Sequence, residues 1–471
     1  MLSSFGALRT RHRAFSVSRS LATAKRHQPP PWGRRAYAAE AKAPPPRTQL
    51  EKHILDSIKA TGPIAFSTYM QFCLSDPIHG YYMNPAHDVF GSRGDFITSP
   101  EISQVFGELV GVWFLTQWKQ AGMPPAIRLI ELGPGRGTLM DDILRVISQI
   151  TSKHRRTDIE GIHLVETSQP MRKFQEQKLG PLAENAGCRL HWYNDVDEIE
   201  PSPAFSMSVA HEFFDALPFY LLQKVEEDVW REVMIASALD PLTDPRSRSE
   251  SSEVPDTPPT SIDPESIYPR FRRVLSPDPT PATIGASRLS PRYSALPVGS
   301  FLEVSPWSHY KAKKLATLLS AQKPSGGPED TTPSTGGGCG LIIDYGDAKA
   351  FGDSFRAFQN HRIVDVFHQP GRSDLTTNVD FALLKEAMRD SVTTLGPISQ
   401  ADFLTKMGIT VRAAELARQA KSEERRSAIL DAAKRLVDPV GMGKEYKVMG
   451  FTSLRNGDAA RDAYPFDDSV D

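Results

Sequence analysis

The stretch AIRLIELGPGRGTLMDDILRVISQI, residues 126–150, decides the fold. Its first seven residues form a short apolar run that is typical of a buried strand, and TLMDDILRVISQI has the spacing of an amphipathic helix. Between the two segments Gly133, Gly135 and Gly137 stand at every second position. A strand that turns through glycines into a helix brings backbone close to a ligand at the helix N-terminus. The stretch therefore predicts a ligand-binding turn in an α/β sheet.

Three kinds of ligand compete for this turn. A phosphate-binding P-loop needs Lys and then Ser or Thr after its last glycine, but Gly137 is followed by Thr138 and Leu139. A dinucleotide fingerprint, GxGxxG, needs a glycine where Thr138 stands. The remaining pattern, GxGxG after the acidic Glu131, opposes a diphosphate and suits a cation. S-adenosylmethionine carries an ammonium and a sulfonium but no phosphate, so it fits the turn better. An ordinary tight turn is the structural alternative.

Strand and helix patterns continue to alternate after this stretch. GIHLVET precedes the helical segment SQPMRKFQEQKL, RLHWY is a further strand, and FSMSVAHEFF is a strand that runs into a loop. This alternation predicts a parallel, doubly wound sheet. Glu166 ends the second strand, where a carboxylate can accept both hydroxyls of an adenosine ribose. Glu166 supports nucleoside binding without separating S-adenosylmethionine from a dinucleotide.

A second cluster of polar residues follows the fourth strand in HEFFDALP, residues 211–218. In an open parallel sheet this strand end lies beside the switch point, where ligands bind. Glu212 and Asp215 flank Phe213 and Phe214. Carboxylates can orient and partly neutralise a guanidinium through paired hydrogen bonds, and aromatic faces can hold a cation. In the alternative interpretation the two phenyl rings belong to the core and the acids are solvated.

The first 47 residues differ from the rest of the chain in charge. They carry ten Arg and Lys residues against the single acid Glu40, with Ser and Ala between them. This composition is typical of a mitochondrial transit peptide, and cleavage is predicted in RAFS, residues 13–16, or in RAYA, residues 35–38. A disordered basic arm that binds anionic surfaces is the alternative.

The whole chain shows no such bias. Its 471 residues have a formal net charge of −2, which gives no indication of nucleic-acid binding. The cysteines at 73, 188 and 339 form no CxxC pair, so neither a disulfide framework nor a metal site is predicted. No stretch reaches the roughly 18 consecutive apolar residues that a membrane span requires.

Helical spacing dominates the N-terminal part of the chain that follows the basic arm. Residues 50–74 predict two helices, the second capped by Ser67. Residues 99–122 predict a single strong helix with Ser99 as its cap and Pro100 as its first residue.

Two segments interrupt the core. Residues 240–296 and 323–338 are rich in Pro, Ser, Thr, Gly and acidic residues, which predicts inserted and mostly disordered loops. The predicted organisation is a transit peptide and arm at 1–47, a helical segment with a cofactor-covering loop at 48–125, a core at 126–378, a helical insertion at 379–445, and a last strand and tail at 446–471.

Six segments in order resemble the MidA-like family of S-adenosylmethionine-dependent methyltransferases. They are GDFITSPEISQVFGE, ELGPGRGTLMDDILR, VETSQPMRKFQ, HEFFDALP, LIIDYG and SDLTTNVDF. The resemblance runs from about residue 50 to 451 without the two insertions. It implies a class I methyltransferase core, a Rossmann-like doubly wound α/β sheet, with an added helical domain. It also implies S-adenosyl-L-methionine as cofactor and symmetric dimethylation of an arginine on a respiratory complex I subunit in the mitochondrial matrix.

The resemblance also implies site residues. Those expected to contact the cofactor are Gly94, Asp95, Thr98, Ser99, Glu131, Gly133, Gly135, Gly137 and Glu166. The candidate catalytic residues are Glu212, Asp215 and His211, although the family has Asn where His211 stands. The polar residues Asp374, Thr376 and Asp380 lie in the last of the six segments and are either chemical or part of a turn.

Three functions therefore remain open. The first is a protein arginine methyltransferase that acts on a complex I subunit. The second is an assembly chaperone that binds the cofactor without catalysis. The third is a nicotinamide-dependent oxidoreductase, which Thr138 and Glu131 oppose because they disfavour a bound diphosphate.

Overall fold

The computed structural model describes residues 46–83, 97–151, 157–238, 270–320, 336–453 and 464–466. The predicted transit peptide lies outside these residues, apart from its last two positions. Gly94 and Asp95, with most of the predicted cofactor-covering loop, lie outside them as well.

The described residues form thirteen α-helices and sixteen strands. The helices are α1 (Gln49–Thr61), α2 (Phe66–Ser75), α3 (Ser99–Ile102), α4 (Gln104–Gln120), α5 (Thr138–Thr151), α6 (Gln169–Asn185), α7 (Pro281–Ala286), α8 (Pro306–Leu319), α9 (Phe381–Met388), α10 (Gln400–Lys406), α11 (Ile409–Arg418), α12 (Glu423–Leu436) and α13 (Met442–Glu445). The strands are β1 (Ile64–Ala65), β2 (Ala126–Leu132), β3 (Asp158–Val165), β4 (Leu190–Tyr193), β5 (Phe205–His211), β6 (Tyr220–Glu226), β7 (Val229–Ser237), β8 (Phe271–Leu275), β9 (Phe301–Val304), β10 (Gly338–Asp347), β11 (Arg356–Gln359), β12 (Arg362–Val364), β13 (Asp374–Thr376), β14 (Val379–Asp380), β15 (Thr393–Ser399) and β16 (Tyr446–Thr452). Short 3₁₀ helices occupy Val196–Glu198 and Pro291–Ala295.

The main sheet has the strand order β4-β3-β2-β5-β10-β16-β15, with β14 beside the end of β10. The pairs from β4 to β10 are parallel, and β16 joins β10 and β15 antiparallel. The chain moves outward from β2 to β4 and then returns to β5 on the other side of β2. The order therefore reverses between β2 and β5, and ligands bind at the carboxyl ends of strands at such a reversal.

Both faces of the main sheet are covered, as strand β2 illustrates. Its alternate residues Ile127 and Leu129 belong to the core that contains α4, α5 and α6, whereas Ile130 and Leu132 belong to the core that contains α8 and α9. Alternation of this kind places successive side chains of one strand on opposite faces. The predicted doubly wound α/β fold with additional helices is confirmed.

The additions to this core are not only helical. Strands β1, β7, β6 and β9 pair antiparallel in a second sheet, and β8 joins β7. Helices α1 and α2 pack on this sheet, and Tyr69 of α2 donates a 2.7 Å hydrogen bond to the carbonyl oxygen of Val366, which follows β12. A third, three-stranded sheet has the order β12-β11-β13. These strands depend on long-range pairing, which local patterns do not predict.

The predicted disorder of residues 240–296 is wrong from residue 270 onward. Residues 270–296 contain β8, α7 and the second 3₁₀ helix. Strand β8 pairs with β7, and both Phe271 and Tyr293 are buried, so scattered apolar residues suffice to anchor a polar segment on an existing sheet. Residues 240–269 lie outside the described residues, as do residues 323–335. Gly338, at the end of the second predicted insertion, already belongs to β10.

Helix boundaries also differ from those predicted. The helix expected over 99–122 breaks at Ser103, whose extended backbone ends α3 and whose side chain caps α4 at Val105 N. Helix α2 begins at Phe66 after Ala65, so the buried Ser67 is not its cap. The region predicted to be helical after residue 379 also contains β15. None of the described helices combines the length and the apolarity needed to cross a bilayer.

Candidate active site

A cavity of about 300 Å³ lies at the carboxyl ends of β2 and β5. Two turns line it: residues 133–137, which follow β2, and residues 211–215, at the end of β5. Among the predicted site residues, those that line the cavity are Thr98, Glu131, Gly133, Gly135, Glu166, His211, Glu212 and Asp215. The structure therefore brings most of the described candidates together.

The glycine turn has the backbone that its sequence predicts. Gly133, Gly135 and Gly137 have φ angles of 67°, 50° and 77°, in the left-handed region that side-chain-bearing residues avoid. A Cβ added at Gly133 would stand 3.1 Å from Cδ2 of Phe213, so this glycine also lets the two turns touch. Gly137 serves packing instead: a Cβ there would meet Leu179 of α6 at 3.3 Å.

Glu131, near the end of β2, is the titratable group beneath the glycine turn. Its side chain is 2% exposed, and its Oε2 has no hydrogen-bond partner among the described residues. Burial raises the pKa of Glu131 to about 8, and Lys178 opposes that rise. A buried carboxylate oxygen without a partner is costly, so this position favours a ligand that brings a positive charge or a hydrogen-bond donor.

Glu166 stands just beyond β3 and is held by two donors. The backbone N–H of Ser168 donates to its Oε1 at 2.7 Å, and Nε2 of Gln175 donates to its Oε2 at 3.2 Å. Burial raises the pKa of Glu166, and these hydrogen bonds act against the rise. Nε2 of Gln175 also donates to the carbonyl oxygen of Gly135 at 2.7 Å. Gln175 thus ties Glu166 to the glycine turn.

The first turn of α3 and the start of α5 both border the cavity and contact each other. Thr138 donates from Oγ1 to Oε1 of Glu101 at 2.6 Å and accepts from Nζ of Lys178 at 2.7 Å. Thr98 lines the cavity, whereas the buried Ser99 donates from Oγ to Oε1 of Gln400 at 3.1 Å. The Ser99 side chain is therefore engaged in packing against α10.

The second turn has a different local structure. Glu212 has a φ of 50°, which is unusual for a residue that is not glycine and costs about 1–3 kcal/mol. The buried Asp344 of β10 holds the turn, because its Oδ2 accepts from the backbone N–H groups of Phe214 at 3.0 Å and Asp215 at 3.3 Å. Burial and the neighbouring carboxylates Asp215 and Glu212 raise the pKa of Asp344 well above its ordinary value.

The Glu212 carboxylate contacts the last strand of the sheet. The hydroxyl of Tyr446, the first residue of β16, donates to its Oε1. Burial raises the pKa of Glu212 to about 8, Asp215 and Asp374 add to the rise, and the Tyr446 hydrogen bond lowers it. A carboxylate with a pKa in this range can exchange a proton near neutral pH.

Asp215 is braced by β13. Thr376 donates from Oγ1 to Oδ2 of Asp215 at 2.7 Å, and Thr377 donates from its backbone N–H to the carbonyl oxygen of Asp215 at 3.1 Å. The Asp215 side chain is 7% exposed, and its Oδ1 has no hydrogen-bond partner among the described residues. Burial raises its pKa, while the Thr376 hydrogen bond and the charge of Arg356 lower it. Asp215 therefore offers one oxygen to a cationic ligand.

His211 is a neutral, buried ring. It stacks on Tyr446 at 6.1 Å between ring centroids and lies edge-on to Phe106 at 5.3 Å. Burial lowers the pKa of His211 to about 3, so it is a weak base at neutral pH. Its Nε2 lies 4.0 Å from Oε1 of Glu212. Glu212, with a pKa of about 8, is better suited than His211 to accepting a proton near neutral pH.

Among the residues that hold the site together, Gln175, Asp344 and Tyr446 were not predicted. Gln175 lies in a helix that was expected, and Asp344 lies in the segment LIIDYG that supports the family resemblance. The partners of Asp344 and Tyr446 lie more than 100 residues away in sequence, so only strand pairing could have indicated these two residues, whereas Gln175 lies 9 residues from Glu166. Asp380 does not join the cavity, because it caps α9 and pairs with Arg292 at 2.8 Å.

The comparisons with known proteins agree with this geometry. A family model described as a putative S-adenosyl-L-methionine-dependent methyltransferase matches residues 109–398. The chain belongs to this family. Its relatives include the mitochondrial protein arginine methyltransferase NDUFAF7 of Bos taurus, 36% identical over 419 residues, which covers 85% of this chain and 83% of the relative. The Homo sapiens protein of the same name is 35% identical and covers 85% of this chain and 82% of the relative.

A solved structure shows the same fold. A likely methyl transferase from Burkholderia thailandensis, bound to S-adenosyl-homocysteine, superposes with a TM-score of 0.64 over 87% of this chain and 95% of that one, at 23% identity.

The Drosophila melanogaster relative, 35% identical over 432 residues, is also named mitochondrial. A mitochondrial location agrees with the basic composition of residues 1–47.

The residues of the cavity fit S-adenosylmethionine, the cofactor of this family. The unpartnered Oε2 of Glu131 calls for a cation, and the cofactor brings an ammonium and a sulfonium. Gly135 lines the cavity with a left-handed φ and no side chain, so a ligand can approach its backbone, and Glu166 stands where a ribose is held. A diphosphate at the same turn would face the carboxylate of Glu131. The nicotinamide-dependent alternative is therefore not supported.

Proposed function

We propose that this protein transfers methyl groups to an arginine of a protein in the mitochondrial matrix. The proposed product is symmetric dimethylarginine on a subunit of respiratory complex I, and the proposed role is in assembly of that complex. The curated relatives are named protein arginine methyltransferases. The family resemblance implies the complex I subunit and the degree of methylation.

One observation carries the proposal of an arginine acceptor. Two carboxylates, the half-buried Glu212 and the buried Asp215, line the same cavity as the cofactor-binding turn. A guanidinium has five N–H donors in a planar fork and binds carboxylates through paired hydrogen bonds. The unpartnered Oδ1 of Asp215 gives such a cation a place to bind.

The residues of the chain divide the chemistry between them. When bound, S-adenosylmethionine supplies an electrophilic methyl group. Glu131, Glu166 and the glycine turn would hold it, while Asp215 orients the acceptor guanidinium. Glu212 receives the proton that the attacking nitrogen loses, because a carboxylate with a pKa of about 8 is a competent base near neutral pH. Phe213 packs against Gly133 where the two turns meet.

The test uses neutral variants of the two carboxylates. Purified protein is incubated with S-adenosylmethionine carrying a labelled methyl group and with complex I subunits from cells that lack this protein. We expect labelled symmetric dimethylarginine with the wild type. Glu212→Gln and Asp215→Asn should each lower the rate by at least about a hundredfold, the usual scale for the loss of a positioned acid–base group. Affinity for S-adenosylmethionine, measured by calorimetry, should stay within a few-fold.

The control is Glu226→Gln. Glu226 is an exposed carboxylate at the end of β6, so this substitution should leave the rate unchanged. If the wild-type protein is folded and binds the cofactor but the arginine of the subunits stays unlabelled, the proposed activity is refuted. Complex I assembly in cells that carry Glu212→Gln then tests the role of methylation. Normal assembly without methylated arginine would favour the cofactor-binding chaperone over the enzyme.

A further inference from the structure

A third carboxylate reaches the cavity from another part of the fold. Asp374 is the first residue of β13, and it lines the cavity together with Glu212 and Asp215. Thr376, two residues further along the same strand, donates to Asp215 at 2.7 Å. Residues two apart on a strand lie on the same face, so Asp374 and Thr376 face the same side of β13. Strand β13 therefore supplies both a carboxylate and a brace to the proposed acceptor site.

Tyr82 fixes the position of Asp374. Its hydroxyl donates to Oδ1 of Asp374 at 2.8 Å. Burial raises the pKa of Tyr82 well above its ordinary value, and Asp374 adds to the rise, so the phenol stays protonated and remains a donor. The carbonyl oxygen of Tyr82 accepts from Oγ of Ser168 at 3.0 Å, and the N–H of Ser168 donates to Glu166. Tyr82 thus connects Asp374 through Ser168 to Glu166, a predicted cofactor-binding residue.

The three carboxylates share one arrangement, in which a hydroxyl from another element holds one oxygen of each. Tyr446 holds Glu212, Thr376 holds Asp215 and Tyr82 holds Asp374. The carboxylates also interact electrostatically, because Asp374 and Asp215 both raise the pKa of Glu212. Asp215 independently indicates a bound ligand. It is only 7% exposed, and its Oδ1 has no hydrogen-bond partner among the described residues.

We infer that Asp374 is a third carboxylate for the guanidinium of the substrate and that Tyr82 is its positioning residue. This inference rests on the proposed arginine acceptor. Two carboxylates on one turn can engage one edge of the planar guanidinium, and a third on β13 can engage another edge, because the donors point outward in the plane from all three nitrogens. The arrangement selects a planar fork over a point charge such as a lysine ammonium.

The experiment compares a charged ligand with its neutral counterpart. The probes are acetyl-Gly-Arg-Gly-amide and the same peptide with citrulline in place of arginine, added to full-length protein saturated with S-adenosylhomocysteine. The ratio of their two dissociation constants, measured by competition, reports recognition of the guanidinium alone. A general loss of stability would weaken both peptides together and leave the ratio unchanged.

We expect the wild type to prefer the arginine peptide by at least about a hundredfold, since hydrogen bonds to charged groups are the strong ones. Asp374→Asn should reduce that preference about tenfold, and Tyr82→Phe about threefold. Asp380→Asn is the matched control, because Asp380 lies six residues further along and pairs with Arg292 outside the cavity lining. Tyr69→Phe controls for loss of a buried hydroxyl, since Tyr69 donates to Val366.

The outcomes separate the two proposals. If the wild type does not distinguish arginine from citrulline, the proposed arginine acceptor fails, and the role of Asp374 fails with it. If the wild type distinguishes them and Asp374→Asn does so equally well, only the role of Asp374 is overturned. If Asp374→Asn does not fold, Tyr82→Phe decides: a lower preference supports the inference, and an unchanged preference refutes it.

Discussion

The two turns that line the cavity differ in what they offer a ligand. Residues 133–137 form a backbone turn in which glycines take up the left-handed conformation, and a single carboxylate, Glu131, lies below them. Residues 211–215 form a side-chain turn in which Glu212 adopts a similar φ without being glycine. The first turn leaves room for a ligand, and the second presents carboxylates to one.

The difference lies in what holds each turn. The backbone turn is fixed locally by its glycines and by Gln175 from the next helix. The side-chain turn is fixed by Asp344, Thr376 and Tyr446, which lie 130, 161 and 234 residues away from their partners in sequence. Cofactor binding can thus be encoded in one short segment, whereas acceptor binding requires the complete fold.

The largest expected effect breaks the backbone turn. Gly135→Val should abolish binding of S-adenosylmethionine, because a branched side chain resists a φ of 50° and occupies space at the ligand. It would also displace the carbonyl oxygen that accepts from Gln175. Calorimetry on the folded variant measures the loss.

The control for Gly135→Val is Gly187→Val. Gly187 has a φ of 71° with no atoms close to an added Cβ, so this variant reports backbone strain alone, about 1–2 kcal/mol of stability. Normal binding by folded Gly135→Val protein would show that the cofactor occupies another loop.

The same difference explains what sequence could predict. The strand, the glycines, Glu131 and Glu166 follow from contiguous patterns, and of these Gly133, Gly135, Glu131 and Glu166 line the cavity. Glu212 and Asp215 were recognisable as a polar cluster at a strand end, but Asp344 and Tyr446 become their partners only through the pairing of β10 with β5 and β16. Residues 270–296 were misjudged for a related reason: composition does not show that β7 offers an edge to pair with.

An intermediate effect tests the charge beneath the backbone turn. Glu131→Gln should weaken S-adenosylmethionine at least about tenfold, because it removes the negative charge that faces a cationic ligand. In the cofactor-free protein, by contrast, the same substitution should increase the free energy of unfolding. The pKa of Glu131 is about 8 in the folded chain and about 4.3 in an unfolded one, so the wild type loses stability as pH rises between these values.

The glutamine of Glu131→Gln does not titrate. The free energy of unfolding of this variant should therefore exceed that of the wild type by an amount that grows from pH 5 to pH 8 and reaches a few kcal/mol. Urea unfolding of cofactor-free protein at the two pH values measures it. Equal cofactor affinity in the two proteins would mean that Glu131 does not face the ligand's positive charge.

The smallest expected effect tests the side-chain turn through its most distant partner. Tyr446 donates to Oε1 of Glu212, and this hydrogen bond stabilises the carboxylate and lowers its pKa. Tyr446→Phe removes the hydroxyl but keeps the ring that stacks on His211. The pKa of Glu212 should therefore rise above its value of about 8, by about one unit.

The pH dependence of kcat/KM reports that change, because it follows the free enzyme. Glu212 must be deprotonated to accept a proton, so wild-type kcat/KM should increase as pH rises through about 8. Tyr446→Phe should shift the midpoint upward, lower the rate about tenfold at pH 7 and recover most of it at high pH, while Tyr69→Phe keeps the wild-type profile. The substrate guanidinium stays charged throughout this range and adds no titration of its own. An unchanged midpoint with a uniformly lower rate would mean that Tyr446 supports the turn by packing and that another group accepts the proton.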